Sequence, residues 1–138
     1  MRSDRRLRWL NDIVRESDEL SGFIAGMTIA KFQENRIVTK AVIKTIENIS
    51  EAVGRLLNDE RSHGVDVPLA QLYPNIPWKS VKGMGDVIRH EYDRLDYNLI
   101  WTTAIESVPR LRTVVLSEME RLRKIVPDEP PRGTTPSP

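Results

Sequence analysis

The stretch KAVIKTIENISEAVGRL, Lys40–Leu56, decides the fold. It contains no Pro, and its only Gly is Gly54. Ile37, Ala41, Thr45, Ile49, Ala52, Val53 and Leu56 recur at helical spacing, with charged and amide residues between them. A half-buried strand needs strict alternation of apolar and polar residues, and no segment of the chain alternates for a useful length. The spacing predicts a helix from about Asn35 to Leu57 with this stripe facing a core.

The same period extends in both directions. Upstream, Leu7, Leu10, Ile13, Val14, Leu20 and either Phe23 or Ile24 predict a helix from about Asp4 to Ile24. Ser3 is its expected N-cap, with Asp4 in the first turn and Gly22 and Gly26 ending it. Thr28 is expected to cap a short turn, TIAKF. Downstream, Asn58 to Pro77 holds Gly64, Pro68, Pro74 and Pro77, which predicts a long connection with one helical turn at LAQLY. Pro77 suits the first position of a third helix, whose apolar face is Trp78, Val81, Met84, Val87 and Ile88. Asp96 is expected to cap a fourth helix with Leu99, Ile100, Ala104 and Ile105 toward the core. Pro109 is expected to kink or break it. Leu111, Val114, Val115, Met119 and Leu122 carry it on to about Lys124. The tail PDEPPRGTTPSP has 5 Pro in 12 residues and is expected to be disordered. The class is therefore all-α: an antiparallel bundle of four main helices over residues 1–126, followed by the tail 127–138.

Composition narrows the function. The chain has 138 residues, enough for one domain with a proper core. Lys and Arg number 21 against 20 Asp and Glu, a net charge of +1, so any nucleic-acid binding must rest on a local patch. There is no Cys, which removes disulfides, thiolate zinc sites and a Cys nucleophile and fits a reducing cytoplasm. The uncharged runs Leu20 to Ala30, with 11 residues, and Val67 to Trp78, with 12, are both too short to span a bilayer. A soluble, cytoplasmic protein is expected. P-loop, dinucleotide-binding and H-E-x-x-H patterns are absent, and the two His are far apart, so neither a metal nor a cofactor is expected. His63 reads as an exposed loop residue.

His90 lies in GMGDVIRHEYDRLDYNLIW, Gly83–Trp101. Asp86 stands four residues earlier and so on the same helix face. A carboxylate so placed orients an imidazole for acid–base work, although the same pair also serves as a plain polar helix end. Arg89, Arg94 and Tyr92 crowd nearby, two guanidiniums suited to phosphate and one hydroxyl.

The longer run IPWKSVKGMGDVIRHEYDRLDYNLIW resembles the signature of the HepT-like ribonucleases of the HEPN superfamily: I-P-W, then G-[MIL]-R-N-x-x-x-H-x-Y, a turn, Asp, and an apolar segment with Trp. KAVIKTIENISEAVGRL resembles the second helix of that family. The resemblance spans about Arg5 to Glu120. It implies a small dimeric helical bundle that cleaves RNA without metal. It also implies a partner, a minimal nucleotidyltransferase antitoxin that places AMP on the Tyr of H-x-Y and silences the toxin. Carried over, the His is His90, the Tyr is Tyr92, the usual Asn is Asp86 and the usual Arg is Gly85. Because Gly85 offers no donor, Arg89 and Arg94 are the candidate replacements. Arg89 stands about 100° around the helix from His90 and reaches its cleft at the edge, while Arg94 lies past the helix end. Glu51 of the second helix is a candidate cleft acid. The resemblance thus implies a toxin subunit with His90 as acid–base. The alternative is a degenerate, non-catalytic module that keeps dimerisation and antitoxin binding.

Overall fold

The structure, a computed structural model, describes residues 2–125. Among them every regular element is helical: α1 (Arg2–Ile24), α2 (Ile29–Glu34), α3 (Arg36–His63), α4 (Leu69–Leu72), α5 (Trp78–His90), α6 (Tyr97–Thr102) and α7 (Val108–Ile125). The expected tail from Pro127 lies outside the described residues.

α1 presents Arg6, Leu10, Ile13, Ser17 and Leu20 inward, an alternation of four and three residues that keeps one face on the core. It begins at Arg2, so Ser3 is a helical residue and not its N-cap. It also runs through Gly22 and ends only before Gly26, whose φ of 74° turns the chain. Thr28 caps α2 by accepting from the Lys31 N–H at 3.2 Å. Asn35 then closes α2 with its own N–H and opens α3 with its side chain, which accepts from the Val38 N–H.

α3 is longer than its sequence predicts, reaching His63 rather than Leu57 and stopping at Gly64, where φ is again 74°. Its buried face is Thr39, Val42, Ile43, Ile46, Ile49, Val53 and Leu56, among others, while Ile37 is 83% exposed. The reason is geometric. Each step of four residues overshoots a turn by about 40°, so a strict four-residue ladder from Ile37 walks off the face that Ile49 occupies.

Three antiparallel pairings build the core. Arg6 near the start of α1 meets Asp59 near the end of α3, and Glu16 meets Asn48. Asp18 of α1 pairs with Arg112 of α7 at 2.8 Å. Gly85 of α5 packs on Ser50 of α3. The enclosed apolar residues, such as Leu10, Val42, Leu56, Ile88 and Val115, each contribute roughly 1.5–3 kcal/mol of transfer free energy.

Pro77 caps α5 from the position before its first turn rather than within it. Val87 of the expected α5 face, and Leu99 and Ile105 of the next helix, are exposed. Asp96 caps α6 as expected, accepting from the N–H groups of Asn98 and Leu99. Pro109 neither breaks nor ends the helix. Residues 103–107 form a π-helical turn in which the Val108 N–H reaches back to the Thr103 carbonyl. The widened turn gives the Pro109 ring room against the preceding carbonyls, and α7 continues to Ile125.

Two charged clusters are sealed inside. The Arg6 guanidinium bonds Asp59 at 3.1 Å and Glu60 at 3.3 Å, while Glu60 accepts from the Leu69 N–H and so ties α4 to the pair. Glu118, 1% exposed, accepts two bonds from Arg121 and one from the Tyr73 hydroxyl. Burial, reinforced by the Glu118 charge, pushes the Tyr73 hydroxyl up to about 12.

Candidate active site

α5 is fixed at both ends. The Trp78 indole N–H donates to the Tyr73 carbonyl at 3.0 Å, and Ile88 is buried near the far end. Trp78, Gly85 and Ile88 are the buried residues of α5 and share one face. Lys82, Asp86 and Arg89 fall on one flank of that face, and Val81 and Met84 on the other.

The α3–α5 contact is tight because Gly85 has no side chain. A Cβ placed there would lie 3.1 Å from the Ser50 Cβ and 3.4 Å from an Arg89 guanidinium nitrogen. The Ser50 hydroxyl is sealed beneath this contact without a hydrogen-bond partner. Glu51, Asp86 and Arg89 therefore line one groove between α3 and α5. Their charges are mutually engaged. Arg89 donates to Asp86 at 2.6 Å and lies 3.6 Å from Glu47, and Glu51 accepts from Arg55 at 2.9 Å.

His90, Tyr92 and Arg94 lie outside that groove lining. His90 is the last residue of α5 and is exposed. Helical geometry ends at Glu91, and Tyr92–Arg94 form a single 3-10 turn before Asp96. The pairing that spacing suggests between Asp86 and His90 is not formed, because Arg89 takes the Asp86 carboxylate. Tyr92 is 49% exposed. Trp101, on the following helix, packs against Phe32 with ring centroids 5.2 Å apart. Arg89 is turned toward α3 and its carboxylates, and Arg94 is exposed. Between Asp86 and Asp96 four acidic residues stand against Arg89 and Arg94, so the neighbourhood of His90 is locally acidic.

His63 is not a loop residue. It ends α3, and its Nδ1 lies 3.2 Å from Asp59. Sequence reasoning also missed Glu47, the second partner of Arg89, and Lys82, which shares the groove. The signal for Lys82 was present: residues 82, 86 and 89 repeat at four and three, so they occupy one helix flank. Among the described residues no group of three or more His, Cys, Asp or Glu is arranged to hold a metal ion. None of the described helices is long and apolar enough to cross a membrane.

Known proteins are similar to this chain over most of its length. The family model described as Ribonuclease HepT-like matches residues 13–118, which include Glu51 and the whole run from Lys82 to Arg94. "Putative RNase MJ0125" of Methanocaldococcus jannaschii is 32% identical over 116 residues, 84% of this chain and 89% of that protein. "Putative RNase MJ1380" of the same organism is 30% identical over 107 residues, 78% of this chain and 90% of that protein. "Probable ribonuclease HepT" of Thermococcus cleftensis is 28% identical over 116 residues, 84% of this chain and 94% of that protein. No solved structure matches the chain significantly. The extent of the family match and the identity to these relatives establish that the chain belongs to the HepT-like ribonuclease family.

Proposed function

We propose that the chain is a metal-independent endoribonuclease with His90 as its acid–base residue. One observation carries the reading: His90 ends α5 in solvent, and none of the described residues engages its imidazole, so it is open to substrate. In the reaction, His90 takes the proton of a ribose 2′-OH as that oxygen attacks the adjacent phosphorus. The P–O5′ bond breaks, the leaving oxygen takes a proton from water, and His90 returns its proton to solvent. The products are a 2′,3′-cyclic phosphate and a 5′-OH. Arg89 and Arg94 supply positive charge to the phosphate, and Asp86 sets the position of Arg89. Residues 1–126 act as one HEPN-like domain in the cytoplasm. They dimerise through α5 and the α6–α7 helix, where Val87, Leu99 and Ile105 remain exposed.

The protein acts as a toxin whose antitoxin is a minimal nucleotidyltransferase. Tyr92, half exposed on the turn beside His90, is the acceptor of AMP. The added phosphate and bulk repel RNA and block the cleft.

The test is incubation of labelled single-stranded RNA with the purified protein, with and without a chelator. Cyclic-phosphate products that persist in chelator and vanish in His90→Ala are expected. A second reading rests on Gly85, which has no donor for phosphate where the family motif has Arg and which packs closely on Ser50. It makes the chain a non-catalytic module that dimerises and binds the nucleotidyltransferase. Absence of cleavage by a dimer that still binds that partner would establish the second reading over the first.

A further inference from the structure

The groove between α3 and α5 holds three cations, and they are not equivalent. Arg55 is held by Glu51 at 2.9 Å, and Arg89 by Asp86 at 2.6 Å and by Glu47 at 3.6 Å. Lys82 lines the same groove, and none of the described residues is an ion-pair or hydrogen-bond partner for its ammonium. Its stem lies flat over Gly54, with Cγ, Cδ and Cε 3.5, 3.9 and 3.8 Å from where a Gly54 Cβ would stand. These are ordinary van der Waals distances, so the stem lies within packing distance of the α3 backbone. The Lys82 stem lies against α3 at Gly54, while the residue as a whole stays exposed and its charged end is open to solvent. Asn58 borders the same groove one turn further along α3 and gives only its oxygen to Arg61, which leaves its amide N–H groups as donors.

We propose that Lys82, with the Asn58 amide beside it, holds a backbone phosphate of single-stranded RNA lying in the α3–α5 groove. A lysine ammonium binds phosphate as a point charge, and an uncommitted one does so without first breaking an ion pair. Eight residues of helix separate Lys82 from His90, about 12 Å along the axis, so this phosphate is not the one being cleaved. Lys82 is a positioning residue: it sets which stretch of strand passes His90. The groove continues through Arg89, so the strand runs along the flank of α5 toward the end of the helix. The proposal rests on the reading of this protein as an RNA-acting enzyme, but it concerns binding and not cleavage.

The experiment measures binding by fluorescence anisotropy with a labelled single-stranded RNA methylated at every 2′-oxygen, which cannot be cleaved by 2′-OH attack. Affinity is followed against salt for the full chain, Lys82→Ala, Lys82→Arg and, as a charge-matched control, Lys40→Ala. Loss of one phosphate contact to a single strand lowers the logarithmic salt slope by about 0.7. Lys82→Ala is expected to show that change with a several-fold loss of affinity, Lys82→Arg to retain most of both, and Lys40→Ala to match the full chain. On cleavable RNA, Lys82→Ala is expected to raise KM with kcat unchanged. A Lys82→Ala slope equal to that of the full chain or of Lys40→Ala overturns the subsite, as does failure of the full chain to bind this RNA. Lys82-dependent binding of AMP with none of RNA overturns it too. Lys82-dependent RNA binding without any cleavage leaves the subsite standing and removes the catalytic role of His90 alone.

Discussion

Two helices of this protein end in the same way on paper and differently in space. α3 closes on DERSH, Asp59–His63, and α5 on DVIRH, Asp86–His90. In each, an Asp precedes a terminal His by four residues and an Arg stands between them. At the end of α3 the pair forms, with His63 3.2 Å from Asp59. At the end of α5 it does not, because Arg89 has taken Asp86. The position of the arginine decides the outcome. Arg61 is two residues past Asp59, on another side of the helix, and bonds Asn58 instead. Arg89 is three residues past Asp86, on the same side. Depth adds to the difference: the Asp59 side chain is 2% exposed and already fixed by Arg6, whereas Asp86 is at the surface. A four-residue Asp–His spacing therefore locates two neighbours without telling whether they bond. At one end histidine completes a structural cluster, and at the other it is left open.

Substitution tests this contrast most strongly at the histidines themselves. His90→Ala is expected to reduce RNA cleavage by about 10²–10⁴-fold, the usual worth of a general acid–base, while His63→Ala leaves the rate within about twofold. Cleavage assays on the two variants break the comparison if His63 proves the more damaging loss. The buried cluster should dominate stability. Arg6→Met strips the main cation from Asp59 and Glu60, and urea unfolding is expected to show a loss of about 3 kcal/mol. Asp86→Asn at the open end should change stability by less than about 0.5 kcal/mol in the same measurement, since an exposed pair contributes little.

Alkali offers a milder probe of the second buried cluster. The folded Tyr73 hydroxyl titrates near 12 against 10.0 for a free one, so the folded state keeps its proton more tightly. That advantage is complete below pH 10 and is lost as pH rises from about 10 to about 12, where only the unfolded chain first gains by ionising. Melting temperatures across this window should fall in the native protein and fall less in Tyr73→Phe.

The helices were legible in the sequence wherever apolar residues kept the period, and the caps at Thr28 and Asp96 followed from side chains that bond their own next turn. The end of α3 was not. Apolar residues stop at Leu57, and what carries the helix on to His63 is a buried Asp59 whose partner lies 53 positions away. The effect of Pro109 was also hidden, because a π-turn depends on backbone hydrogen bonds that no residue type announces. At the candidate site, the HepT-like motif named His90 and Tyr92. It did not divide the site, since only the packing of Gly85 on Ser50 reveals which residues share the groove. The place of Lys82 on the flank of Asp86 and Arg89 follows from its spacing, but its lack of a partner does not, because a sequence does not record which charges are already matched.

The contact between Gly85 and Ser50 also constrains the order in which this chain can change. The Cβ of an arginine arriving at position 85 stands 3.1 Å from the Ser50 Cβ, close enough that one of the two must shift slightly, and 3.4 Å from the like-charged Arg89 guanidinium. If Ser50 is first trimmed to glycine, the steric half of that obstacle is gone before the arginine appears. The two substitutions touch, so their effects do not add, and the path through position 50 is the less obstructed one. A library that varies both positions together should yield folded chains with Gly85→Arg more often where Ser50→Gly accompanies it than where Ser50 is kept.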